Sequence, residues 1–143
     1  MSNPEQRRSP LAELVAVIVI AAIIGTIAVP KFGNFALKHD EATVLANLKT
    51  YRKAIELFRK DVGLYPARLS DLAATKAPRY GLLNNGVMKE IDAKAYRGPY
   101  VTAIEADIIS DKPFDYNVEP GLVGQVKSSS AGKSTDGTLY SNW

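Results

Sequence analysis

The chain has 143 residues, a net charge of +3 and no cysteine. That length holds one modest domain, and the missing cysteines exclude a disulfide framework, thiol chemistry and Cys-built zinc sites. The mildly basic balance singles out no nucleic-acid partner.

The charges are spread unevenly. From Leu11 to Val29 the chain reads LAELVAVIVIAAIIGTIAV, with Glu13 as its one charge. This is about the length of helix that crosses a bilayer core of ~30 Å. Arg7 and Arg8 precede it, so the positive-inside rule puts the N-terminal flank in the cytoplasm and the bulk of the chain outside. A secretory signal peptide would have a shorter apolar stretch and a small-residue cleavage site, whereas Pro-Lys-Phe-Gly-Asn-Phe follows Val29. A plain single-span anchor fits the length but gives Glu13 no role. A carboxylate in an apolar span costs roughly 2.5–3.5 kcal/mol at the centre and less near the interface. Either a cation elsewhere answers Glu13, or it snorkels to water at the cytoplasmic edge.

A basic leader, an apolar helix with a Glu just inside it, and Pro30 standing 17 positions after that Glu form a pattern that resembles the type IV pilin and pseudopilin N-terminus. The resemblance implies a leader over residues 1–8, cut between Arg8 and Ser9 by a prepilin peptidase that methylates the new amine. It implies a transmembrane and filament-core half of a helix over residues 9–30, and the amphipathic half plus a globular head over residues 31–143. Glu13 and Pro30 become the filament-assembly residues, with Glu13 pairing the freed amine of a neighbouring subunit. At the cut itself only Leu11 and Glu13 match the family's Gly-Phe-Thr-Leu-Ile-Glu, and Arg8 stands where the family has Gly.

Beyond Pro30 the chain becomes charged without losing helical spacing. Leu45, Leu48, Tyr51, Ile55, Phe58 and Val62 recur at three- and four-residue steps, the core stripe of an amphipathic helix. Pro30, Gly33 and Asn34 weaken the helix, so a partly melted stretch is expected around Gly25–Asn34. Phe32, Phe35 and Leu37 are candidates to face neighbouring subunits. Gly63 is a left-handed cap and Pro66 a stop. The run Asp61-Val62-Gly63-Leu64-Tyr65-Pro66 is similar to the end of the long helix in major pseudopilins, and a short helix over Leu69–Thr75 should follow.

In the remainder, Asn84-Asn85-Gly86 is a turn signal, a short helix fits Val87–Lys94, and Val101–Ile109 reads as a strand. Phe114–Glu119 and Leu122–Lys127 flank Pro120-Gly121 and read as a hairpin, expected within a sheet of three or four strands. Ser128–Gly137 is a polar loop and Leu139–Trp143 a last edge strand, with Trp143 expected to pack onto the sheet or the long helix. The expected fold is α+β, a long N-terminal helix packed on a small antiparallel sheet, of the type IV pilin-like kind.

His39 is the one histidine, too little for a ligand set or a nucleophile–base pair. Asp107, Asp111 and Asp115 read as solvated loop carboxylates. No enzyme chemistry and no cofactor are expected. Major pseudopilins hold calcium near the C-terminus; the matching loop here, Ser128–Gly137, offers Asp136 as a weak calcium candidate. Backbone carbonyls and the Ser128–Ser130 hydroxyls could supplement it toward the six to eight oxygens calcium takes.

The resemblance implies a subunit that sits single-pass in the bacterial inner membrane, head periplasmic or extracellular. Its partners would be copies of itself in a helical filament, other pilin-like subunits, an assembly platform and the peptidase. The filament would serve type II secretion or, as a true pilus, adhesion, motility or DNA uptake. A single-span anchored binding domain that does not polymerise is the reading from another class.

Overall fold

The computed structural model describes the backbone of residues 10–143, with the side-chain surroundings of residues 14, 15, 17–19 and 34–143. Arg8 and Ser9, and the side chains of Glu13 and Pro30, lie outside the described residues. The fold is α+β, with one long helix and two small antiparallel sheets. The chain divides into two compact units, Met1–Leu37 and Lys38–Trp143.

Helix α1 spans Pro10–Val62. The melted stretch expected over Gly25–Asn34 is absent: helix is assigned throughout. Proline removes one backbone donor, and the helix continues through it from Pro10 to Val62. Among the described residues no helix is long and apolar enough to cross a membrane; most side chains of the Leu11–Val29 run lie outside that set.

The helix ends as its sequence dictates. Gly63 takes φ 76° and donates its N–H to the Arg59 carbonyl at 2.8 Å, the single bond of a left-handed cap. Arg59 and Lys60 occupy the last turn, where cations oppose the helix dipole.

Within the second unit, Glu41, Val44, Leu48, Tyr51, Ile55 and Phe58 are buried at alternating steps of three and four. Val62 packs half-buried at the end of this row. Leu45, expected in the stripe, is instead 46% exposed. It lies about 100° around the helix from Val44, and Val44 takes the inward position. Phe58 sits edge-on to Tyr100 at 5.6 Å and to Tyr96 at 6.0 Å, and Tyr51 to Phe114 at 5.4 Å. Each such pair adds roughly 0.5–1.5 kcal/mol beyond burial.

After the cap, strand β1 (Tyr65–Pro66) pairs with β2 (Tyr80–Leu82), and β2 with β3 (Met88–Glu90), all antiparallel. The short helix after Pro66 is a 3-10 turn over Leu69–Ala73. In place of the helix expected over Val87–Lys94 stand β3 and a following turn. Gly86 at φ 78° turns the chain back, and Val87 accepts from the Leu83 N–H, so ladder bonds replace helical ones. The expected strand Val101–Ile109 is a loop pinned from outside itself. The Tyr100 and Val101 N–H groups reach the Leu72 carbonyl, and the Glu105 N–H reaches the Tyr51 hydroxyl at 2.9 Å.

The second hairpin is present but shorter than expected. Only β4 (Asp115–Tyr116) and β5 (Val126–Lys127) pair, and they form a sheet of their own. Beyond them the Asn117 N–H bonds the Gln125 carbonyl. The terminal edge strand is replaced by a 3-10 turn over Tyr140–Asn142. Trp143 packs half-buried against the core, its ring 5.0 Å from that of Tyr140.

Candidate functional site

Two features stand out, each within its own unit. The first is the apolar surface of α1. Leu14, Val15, Val17, Ile18 and Val19 are exposed by 57%, 56%, 60%, 58% and 50%. Consecutive helical residues point about 100° apart, so Val17, Ile18 and Val19 alone sweep more than half of the helix circumference. An uncovered apolar arc this wide on a helix calls for a covering surface. Further along, Phe35 is 73% exposed.

The second feature is a pair of buried carboxylates that fasten the C-terminal loop. Glu41, on the inward row of α1, accepts from the Thr135 N–H at 2.7 Å, the Thr135 hydroxyl at 2.6 Å and the Tyr140 hydroxyl at 2.8 Å. Burial pushes its carboxyl up, but the bonds from Thr135 and Tyr140 outweigh this and hold it below its ordinary 4.5. The same contact and burial push the Tyr140 phenol up to about 12.

Asp107 is fully buried, not the solvated loop carboxylate expected. It accepts from the Ser128 hydroxyl, from the Ser130 hydroxyl at 2.9 Å, and from the N–H groups of Ser129 at 3.1 Å and Ile109 at 3.0 Å. Burial again raises the carboxyl, and these donors bring it below its ordinary 3.8. Asp107 thereby ties the 101–112 loop to the start of the C-terminal loop, and Glu41 ties the end of that loop to the helix. Among the described residues no buried side-chain nitrogen or oxygen lacks a partner.

His39 is exposed beside Asp40. Asp111 and Asp115 are exposed. Asp136 is exposed and accepts from the Ser134 hydroxyl and the Thr138 N–H, which holds its carboxyl below the ordinary value. Among the described residues no three His, Cys, Asp or Glu side chains converge.

Glu41 was legible in principle: it continues the 44–48–51–55–58 row one step toward the N-terminus. Asp107 was not, because its serine donors lie 21 to 23 positions away. In comparisons with family models, curated proteins and solved structures, nothing matches this chain.

Proposed function

We propose that the chain is a structural subunit of a type IV pilin-like filament, first of all a pseudopilin that supports type II protein secretion from the bacterial inner membrane. The observation that carries this reading is the uncovered apolar surface of Leu14–Val19, together with the uncharged run to Val29 and the single carboxylate of Glu13. Covering five half-exposed aliphatic side chains is worth on the order of 1 kcal/mol each. Lipid supplies that cover before assembly, and neighbouring helices supply it after.

Glu13 then has a partner. The amine freed at Ser9 of an adjacent copy neutralises it in a dry filament core, where an unanswered charge is costly. The head, held by Glu41 and Asp107, decorates the filament. A true pilus subunit uses the same design. A non-polymerising single-span anchor is favoured by one observation, Arg8 in the place of the family's Gly.

Filament yield from membranes with matched protein levels tests the reading. Glu13→Leu and Glu13→Gln should both insert normally, leave the head's Tm unchanged and lower the yield of pelletable filament. Wild-type yield from both variants would reduce Glu13 to a snorkelling interface residue.

A further inference from the structure

The two flanks of the head beside the buried helix row carry opposite charge. On one flank lies a groove of about 550 Å³ that includes Arg52, Glu56, Arg59 and Lys127. Three cations face one carboxylate there, and among the described residues none of the three cations has an acidic partner within 4.0 Å. Arg52 is spent on the Val126 carbonyl at 3.0 Å. Arg59 lies over the Tyr65 ring at 4.8 Å, and Arg59 and Lys127 are exposed.

On the other flank a hollow of about 380 Å³ includes Asn47, Thr50, Tyr100 and Glu105, and no cation lines it. Glu105 is exposed and held in place by its N–H bond to Tyr51 and by Asn47 at 3.4 Å. Asp61 adds a second carboxylate nearby, accepting from Tyr100 at 2.9 Å. Thr50 and Arg59 are nine positions apart, about two and a half helical turns, which places the two flanks on opposite sides of the helix.

We infer that these flanks are the two halves of one head-to-tail contact between copies: the Arg59/Lys127 groove of one head receives the Glu105 flank of the next. This rests on the filament reading and gives it a lateral register. One molecule carries both complementary surfaces, too far around the helix to meet each other. Such a pair generates a heterologous interface, which closes into a ring or propagates as a helix. Complementary charge fixes register and partner choice at such a contact. The groove's aromatic wall, Tyr65 and Trp143, supplies the apolar backing that exposed ion pairs lack.

The test uses the full-length chain and measures pelletable polymer. R59E/K127E should lower the yield several-fold, because its groove now repels Glu105. E105K should do the same, because it now faces Arg59 and Lys127. The triple variant R59E/K127E/E105K restores opposite signs and should recover at least half of the wild-type yield. The defects of the two parents should also change with salt, since exposed charges are screened. K76E, an exposed reversal elsewhere, should polymerise as wild type does.

In a cysteine-free chain, Arg59→Cys with Glu105→Cys gives an independent readout: oxidation should produce a ladder of cross-linked copies. This readout decides the matter if a reversal lowers the head's Tm. Wild-type yield from both reversed variants, no recovery in the triple variant, or no ladder would overturn the contact while leaving the filament reading standing. A wild-type chain that forms no polymer at all would overturn both.

Discussion

Replacing Glu41 by alanine removes the acceptor of three hydrogen bonds that join the C-terminal loop to the helix. Bonds to a charged group contribute about 1.5–3 kcal/mol each when taken singly. The three are not additive: the carboxylate's own burial cost disappears with it, and the exposed Thr135 regains water. Tyr140 does not, being only 4% exposed, so its hydroxyl loses its partner without replacement. The net cost is about 3 kcal/mol. For a unit of roughly 100 residues, an unfolding entropy of about 0.2 kcal/mol/K converts this to a fall in Tm of about 15 °C. Glu41→Gln keeps one acceptor and should lose somewhat less. Thermal melts followed by circular dichroism on the full chain in detergent measure both, with the exposed Glu56→Ala as a control expected within about 0.5 kcal/mol of wild type. In hydrogen exchange the Thr135 amide should lose its protection in Glu41→Ala. A fall in Tm below about 4 °C, with Thr135 still protected, would refute the claim that Glu41 fastens this loop.

The same carboxylates set the pH response. Both folded-state values lie below the ordinary 4.5 and 3.8, so their contribution is complete above those values and is lost as pH falls through the depressed ones. Tm should therefore hold near neutrality and drop below about pH 4, and Asp107→Asn or Glu41→Gln should flatten that drop; an unchanged acid limb in both variants would count against the assignment. At the alkaline end Tyr100, pushed up to about 12 by burial and by Asp61, resists ionisation only while folded, so stability should decline above about pH 10 and decline less in Tyr100→Phe. Gly124→Ala should cost about 2–3 kcal/mol in a melt, since the residue sits at φ 87° and the new methyl group would run into the Tyr65 ring; a neutral result would mean that the ring can move aside. Mass spectrometry of the N-terminus should find a methylated amine at Ser9, and an intact Met1 would remove the proposed partner of Glu13.

The long helix was legible because its signals are local. The three- and four-residue spacing named Leu48, Tyr51, Ile55 and Phe58, all buried, and the Gly63 cap and Pro66 stop marked its end. The stripe began one position out, at Leu45 and not Val44, because two adjacent aliphatics fit the same spacing until a polar residue, Glu41, fixes the row. The later strands were harder to read. Val101–Ile109 has strand composition, yet its Val101 and Glu105 N–H groups bond Leu72 and Tyr51, partners that no local pattern announces. Asp107 shows the same limit. With Lys112-Pro113 breaking any helix through Asp107, Asp111 and Asp115, it reads as solvated, and only the fold brings Ser128, Ser129 and Ser130 around it. The apolar surface at Leu14–Val19 was visible as composition; its reach around the helix follows once the helix is in place.

The filament reading stands or falls on what covers that surface. The direct measurement is electron cryo-microscopy of polymer isolated from membranes that express the full-length chain. The account expects a helical filament with the Leu11–Val29 helices packed together at its centre, Val17 and Ile18 against neighbouring copies, and heads outside. Membranes that yield only monomers, with that helix surrounded by lipid, would contradict it.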